Sequence, residues 1–339
     1  MSGDLSLLLW VGLVVAGIAA MQWGAARAAA ALDLYRNAAG LTGTVAGTLL
    51  GVATATPEIS VNVASVAFGW PDLGLGTALG SNVPALPLAF LLAWLSLRHV
   101  ARAARREPRA AVSPPQTTPV VKPAAADVQA WPYLLIVLLL AALTLPPPWA
   151  GLQPVDAAIL VAAWAIYASR ALRRPRKPVA ERSPAAPPGT LQRGLLAVPV
   201  IAGGALAAVL AARRLADAFG ASDLVVGLFV VGLLCALPES FGAWRLARDG
   251  RITLAISTAM ADGIVSLTLA MVPPSLAGTP VGDAPLYVAN LALLVVVLGT
   301  YLVLNHWRRG TELAGVRVAA ACGAYVVYLV VVGVLLLRP

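Results

Sequence analysis

Two eight-residue stretches decide how this chain is read: Gly51-Val-Ala-Thr-Ala-Thr-Pro-Glu58 and Gly232-Leu-Leu-Cys-Ala-Leu-Pro-Glu239. They align without a gap at a constant offset of 181 residues (Gly51 onto Gly232), and the register persists beyond them. Gly69 falls on Gly250, Leu73 on Leu254, Thr77 on Thr258 and Ser81 on Asp262. Self-similarity at a fixed offset marks a repeated structural unit. In both copies a proline precedes a glutamate. Proline has no backbone N–H and clashes with the preceding turn, so helices through Pro57 and Pro238 are expected to break there and free backbone carbonyls.

The surroundings of the repeat set its solvent. Of the 339 residues, 60% are hydrophobic and only 12% charged, against about 25% charged in a soluble domain. The mean hydropathy of +0.84 excludes a water-soluble enzyme and excludes disorder over most of the length. A helix needs about 20 mostly apolar residues to cross the hydrocarbon core. Runs between charged or proline-rich breaks predict ten spans: 5–26, 40–67, 73–96, 128–146, 153–170, 194–215, 223–245, 252–273, 284–305 and 313–337. The fourth is the shortest, cut off by Pro146-Pro147-Pro148. Met1–Asp4 lacks a basic segment, so the first span is expected to be retained rather than cleaved. Cys235 and Cys322 lie inside apolar runs and predict no disulfide.

A net charge of +9 would suggest a nucleic-acid partner in a soluble protein. Here 21 of the 24 lysines and arginines fall in alternate loops, between spans one and two, three and four, five and six, seven and eight, and nine and ten. The positive-inside rule makes those loops cytoplasmic and puts both termini outside. The surplus is topology, and no nucleic-acid partner is expected. The basic clusters Arg98–Arg109 and Arg170–Lys177 could also meet anionic lipid headgroups. Two cytoplasmic connections, Pro108–Ala126 and Pro175–Gly189, read as linkers without a core. The second divides the chain into a first half (1–172, signature hairpin about 40–96), a linker (173–192) and a second half (193–339, signature hairpin about 223–273). Five spans per half force the second copy into inverted orientation.

Depth singles out the acids. Glu58 and Ser81 flank the turn Gly69-Trp70-Pro71, and Glu239 and Asp262 flank Gly250-Arg251. Each lies about 11 or 12 residues from its turn, roughly 17 Å along a helix, near the bilayer centre. The two hairpins enter from opposite faces and bring polar groups to one depth. Glu58, Glu239 and Asp262 are the three acids predicted in mid-span. Ionisable groups there are costly and mark transport paths. A single buried carboxyl often only ties helices together, but that explains a symmetric Pro-Glu pair poorly. Gly43, Gly47, Gly51, Gly76 and Gly80, with Ser257 and Ala261 opposite, have the four-residue spacing of close helix packing.

Thr54-Ala-Thr-Pro-Glu58, followed by Asp72-Leu-Gly-Leu-Gly-Thr-Ala-Leu-Gly-Ser81-Asn82, resembles the cation/calcium exchanger superfamily, within it the sodium/calcium exchanger branch. The first hairpin matches well and the second less so. The resemblance implies an all-α integral membrane protein of ten helices in two inverted five-helix repeats. It also implies alternating-access antiport of a divalent cation, usually calcium, against sodium or protons. By position it makes Glu58, Glu239 and Asp262 the cation-binding carboxylates and Thr54 and Ser81 hydroxyl ligands. Cys235 stands where the partner of Thr54 would be, Asp262 replaces a serine, and Ser266, Asn82, Thr77 and Thr258 are accessory candidates. Family asparagine and aspartate positions are Ala85 and Ser266 here, and serines are Ala55 and Ala236. Oxygens for accessory sodium ions are therefore missing, while calcium, which takes six to eight oxygens, could still be held. No resident cofactor is expected; the cations are cargo. A bacterial plasma membrane is the expected location, with lipid and transported cations as partners.

Two other classes remain open. The ligand losses suit a degenerate member that scaffolds or senses without transporting. An intramembrane acid enzyme would need two carboxylates sharing a proton and a water. This chain offers one mid-span aspartate, and His99 and His306 sit at span ends.

Overall fold

The computed structural model describes residues 2–38, 51–106, 123–148, 150–172, 189–248, 252–307 and 315–337. Gly43 and Gly47, nearly all of both proline-rich connections, the Gly250-Arg251 turn and most loop arginines lie outside them, as do the side chains of His99 and His306. The described residues form helices and turns, with no strand. In hydrocarbon every backbone N–H and C=O needs an internal partner, and a helix supplies one within a single segment.

The main helices are α1 (Ser2–Ala38), α2 (Thr56–Ala67), α3 (Pro71–Arg106), α4 (Pro123–Thr144), α5 (Pro154–Leu172), α6 (Thr190–Phe219), α7 (Leu233–Arg248), α8 (Ile252–Ser266), α9 (Ala284–Trp307) and α10 (Gly315–Leu336). One falls on each predicted span. Seven described segments are long and apolar enough to cross a membrane: Leu5–Leu32, Pro71–Ser96, Gln192–Phe219, Asp223–Arg248, Ala255–Leu276, Ala284–Leu304 and Gly315–Leu336. Large apolar side chains are exposed along α1 (Leu5, Leu8, Leu9) and α10 (Val326, Val327, Val330), as expected of surfaces that face lipid. This is an integral membrane protein.

Three local expectations need correction. The first hairpin helix is interrupted at Ala55 (φ −79°, ψ 1°), two residues before Pro57. Pro238, by contrast, sits inside the uninterrupted α7. The irregularity of that copy comes earlier, where the short helix Asp223–Val226 leads into a π-helical stretch, Gly227–Gly232. The span predicted over 252–273 is also not one helix. Past Ser266 the backbone breaks at Thr268 (φ −120°, ψ −78°) and resumes as a 3₁₀ turn, Leu269–Met271, then a short helix, Val272–Leu276. Pro273 and Pro274 restrict the residues before them and cannot continue a regular ladder.

Packing displays the repeat in three dimensions. A Cβ on Gly51 would lie 2.9 Å from the backbone of Ala261, and one on Gly232 would lie 2.7 Å from the backbone of Gly80. The offset of 181 maps Gly51 to Gly232 and Gly80 to Ala261, so these two backbone contacts are copies of each other. They cross the stretch before Ala55 over α8, and the π segment over α3. Outside them α1 lies along α6, with Gly17 and Gly204 so close that a Cβ on either would meet the other's carbonyl at 2.6 Å. On the opposite flank α4, α9 and α10 close a core around Phe90, Tyr133, Tyr287 and Leu294.

One end of the bundle collects acids. Arg213 binds Asp223 at 2.7 Å and Asp217 at 3.0 Å, and its guanidinium faces the ring of Trp70. Leu152 N donates to Thr279 O at 2.8 Å, joining two further loops at that end.

Candidate functional site

Helix geometry delivers the carboxylates to the centre. Glu58 lies in the first turn of α2, just past the interruption at Ala55. Glu239 follows Pro238 in α7, and Asp262 lies near the end of α8. Glu58 is 0% exposed and Asp262 3%; Glu239 is half-buried, with both carboxylate oxygens hidden. The Glu239 carboxyl is close enough to interact with those of both Glu58 and Asp262. Ser81 approaches Glu58, and Thr54 approaches Asp262. The five principal residues expected from sequence are therefore brought together from five helical segments: the stretch before Ala55, α2, α3, α7 and α8.

The contacts are close but not well-formed hydrogen bonds. Neither oxygen of Glu58 or Glu239, nor Oδ1 of Asp262, has a hydrogen-bond partner. Buried anionic oxygens without partners are costly, and a cation or protons must balance them. Among the described residues no three histidine, cysteine, aspartate or glutamate side chains converge tightly enough to enclose one metal ion. A cation held by all three carboxylates would need them to draw inward. The hydroxyls are already oriented for this. Thr54 Oγ1 donates to Gly51 O at 3.1 Å and Ser81 Oγ donates to Ala78 O at 3.2 Å. With the proton directed to backbone, each oxygen presents lone pairs to a cation.

The accessory candidates divide. Cys235 is fully buried and lies in the field of all three carboxylates. Ser266 Oγ and Thr258 Oγ1 are buried without partners, whereas Thr77 Oγ1 donates to Leu73 O at 2.8 Å. Asn82 is committed elsewhere: its Nδ2 donates to Ala78 O at 2.6 Å, and its Oδ1 accepts from Tyr133 Oη at 2.5 Å.

A cavity of about 660 Å³ reaches Glu239, Asp262 and Thr54 from the end of the bundle at Arg245. Its walls come from α1, α7, α8 and the segment before Ala55; Glu58 is not among its lining residues. Gln22 of α1 lines it and donates from Nε2 to Cys235 O at 3.4 Å.

Sequence reasoning missed Gln22, Asn62 and Tyr133. Asn62 could have been found: it lies one turn beyond Glu58, the spacing that puts two residues on one helix face. Its Nδ2 donates to Glu58 O at 3.0 Å, and its Oδ1 has no partner. Gln22 had only the weak signal of an amide inside an apolar run. Tyr133 had none, because nothing in its local sequence says that α4 would carry it to Asn82.

Comparison with known proteins supplies an independent finding. A family model described as "Sodium/calcium exchanger protein" matches residues 9–172 and again residues 194–334. Among solved structures, the chain is similar to the sodium-calcium exchanger NCX_Mj soaked with 100 mM Na⁺ and 10 mM Sr²⁺, with a TM-score of 0.59 and 19% identity over 96% of this chain and 98% of that one. Against the same exchanger in 2.5 mM Na⁺ and 0.1 mM Sr²⁺ the TM-score is 0.62, again with 19% identity, over 96% and 99% of the two chains. The H⁺/Ca²⁺ exchanger CAX gives a TM-score of 0.63 with 16% identity, over 99% of this chain and 82% of that one. No curated protein sequence matches the chain.

Proposed function

Because the chain belongs to the sodium/calcium exchanger family, we propose that it is a secondary cation antiporter, not an enzyme, that exchanges calcium or another divalent cation for sodium or protons. The observation that carries this is the cluster of Glu58, Glu239 and Asp262, with five of its six carboxylate oxygens buried without hydrogen-bond partners and with Glu239 and Asp262 lining a water-sized passage. A divalent ion among three carboxylates leaves one formal negative charge. A proton on one carboxyl removes it, and that suits proton coupling. The scarcity of sodium ligands at Ala85 and Ser266 points the same way.

Alternating access is supported by the inequality of the two halves. Ala243, Leu246, Ala255, Thr258 and Ala259 line the cavity. Their counterparts at the offset of 181 are Asn62, Ser65, Gly74, Thr77 and Ala78, all buried in packed helix. The cavity thus opens beside α7 and α8 and not beside α2 and α3. In inverted repeats, exchanging the two conformations opens the opposite side of the membrane. The reading includes ten crossings, both termini outside, the Arg245 end on the cytoplasmic side of a bacterial plasma membrane, and halves 1–172 and 193–339. The two separate family matches support that division.

Gradient-driven flux in proteoliposomes tests the proposal. Calcium uptake driven by an imposed sodium or proton gradient should fall at least about a hundredfold in Glu58→Gln and in Glu239→Gln, given the cost of losing a buried ligand charge. Flux unchanged in both variants would refute the assigned site. Saturable calcium binding without flux in the unmodified protein would instead identify a non-transporting member.

A further inference from the structure

The cavity that reaches the carboxylates carries one charge of the wrong sign for a cation passage. Among the described residues its lining holds three charged side chains: Glu239 and Asp262 at the inner end, and Arg245 at the mouth. Six residues of α7 separate Glu239 from Arg245, about 9 Å at the helical rise. Most of the remaining wall is small and apolar, supplied by Ala25 and Ala29 of α1, Ala243 of α7, and Ala255 and Ala259 of α8. Low-dielectric walls confine field lines to the passage, so a charge at the mouth acts on every ion that enters.

Arg245 is exposed and makes no ion pair or hydrogen bond with the described residues. Its guanidinium stays charged at any physiological pH. Arg248 is also exposed, but its guanidinium lies over the ring of Trp244, and it does not line the cavity. The positive-inside rule asks only that cations gather at this end of the bundle. Arg248 meets that demand without touching the passage, so topology alone does not account for where Arg245 sits. At the offset of 181 the counterpart of Arg245 is Ala64 in α2. The copy of this route therefore has no cation at the matching position.

We propose that Arg245 is a charge filter at the mouth of the cavity, handicapping divalent cations against monovalent ones on this face alone. A fixed arginine can set an electrostatic barrier to cations in a membrane pore. One unit charge roughly 5–10 Å away in a partly hydrated passage lowers the local concentration of a monovalent cation about threefold. A divalent ion feels the same field twice over, and the factor squares to about ninefold. An exchanger built this way takes up its divalent ion less readily at the Arg245 face than at the opposite one. That consequence rests on the antiport reading; the field at the mouth does not.

Charged thiol reagents measure the field directly, in the full chain solubilised in detergent at low ionic strength. The probe is Thr258→Cys, on the cavity wall one turn from Asp262, with Cys235→Thr and Cys322→Ala removing the native thiols. Arg245→Gln should speed the cationic trimethylammonium-ethyl methanethiosulfonate about threefold and slow its anionic sulfonatoethyl analogue about threefold. Arg245→Lys should keep the original rate ratio. Arg248→Gln, the same loss of charge away from the cavity, should change the ratio by less than about twofold, and about 1 M salt should erase most of the Arg245 effect. An unchanged ratio in Arg245→Gln, an equal change in Arg248→Gln, or no reaction of Thr258→Cys with either reagent would overturn the proposal. In proteoliposomes, Arg245→Gln should lower the KM for calcium at that face about ninefold. Absence of flux in the unmodified protein would refute the antiport reading and leave the thiol rates to decide the filter.

Discussion

At Gly263, a missing side chain decides the local structure. A Cβ there would lie 2.5 Å from Asn82 Oδ1 and would collide with the hydroxyl of Tyr133. The absence of that carbon lets α4 insert Tyr133 directly behind Asp262 and bind Asn82, the neighbour of Ser81. Tyr133 thus bridges the two hairpins from behind, by its hydrogen bond to Asn82 of α3 and its close approach to Gly263 of α8. Gly263→Ala should displace Tyr133 and cost about 1–3 kcal/mol. Tyr133→Phe should cost a similar amount by leaving Asn82 Oδ1 buried without its donor. Because both act on one contact, the double variant should lose clearly less than the sum. Thermal unfolding in detergent measures all three, and strict additivity would show that the residues are not coupled. The carboxylates were legible in the sequence, because acids in apolar runs stand out. Their support was not, because Tyr133 reaches the site only through tertiary packing.

Among the helices, the repeat predicted partnership better than shape. The spacing of Gly51, Gly76 and Gly80 was legible as close packing, and each now meets backbone of another helix: Gly51 at Ala261, Gly76 and Gly80 along Leu224–Leu228. The positions of the breaks were not legible. Copy one breaks in its first hairpin helix, at Ala55, while α3 runs on through Pro84 and Pro87. Copy two continues through Pro238 and breaks in its second hairpin helix, at Thr268. At the offset of 181 Thr268 is the counterpart of Pro87, so the proline lies in the copy that stays helical. A proline removes one donor, but whether the helix parts there depends on what packs against the freed carbonyls. The glycine contacts give the sharper forecast. Gly80→Ala would drive a Cβ into the backbone at Leu228, where no side chain can yield, and should cost about 1–3 kcal/mol or more. Gly299→Ala, in α9 with nothing within 4 Å, should be neutral or stabilising by up to about 1 kcal/mol. Equal unfolding temperatures for the two variants would show that this crossing is not closely packed.

The proposed alternating access puts the two copies of the hairpin in different states, and that asymmetry can be measured. If the halves exchange conformations, Ser65 and Thr77, now buried, must come to line an outer passage. Ala243 and Thr258, now near the open cavity, must become sealed. Single cysteines at these four positions report this, in a background where Cys322→Ala and Cys235→Thr remove the native thiols; threonine at 235 copies its counterpart Thr54. A membrane-impermeant thiol reagent should reach Ala243→Cys and Thr258→Cys only from the face that carries Arg245. It should reach Ser65→Cys and Thr77→Cys only from the opposite face. Conditions that speed one pair should slow the other by a comparable factor, since a single equilibrium governs both. Labelling of all four from one face would contradict the inverted arrangement. If Ser65→Cys and Thr77→Cys never react in protein that transports, the outer passage does not follow the path that the repeat assigns to it.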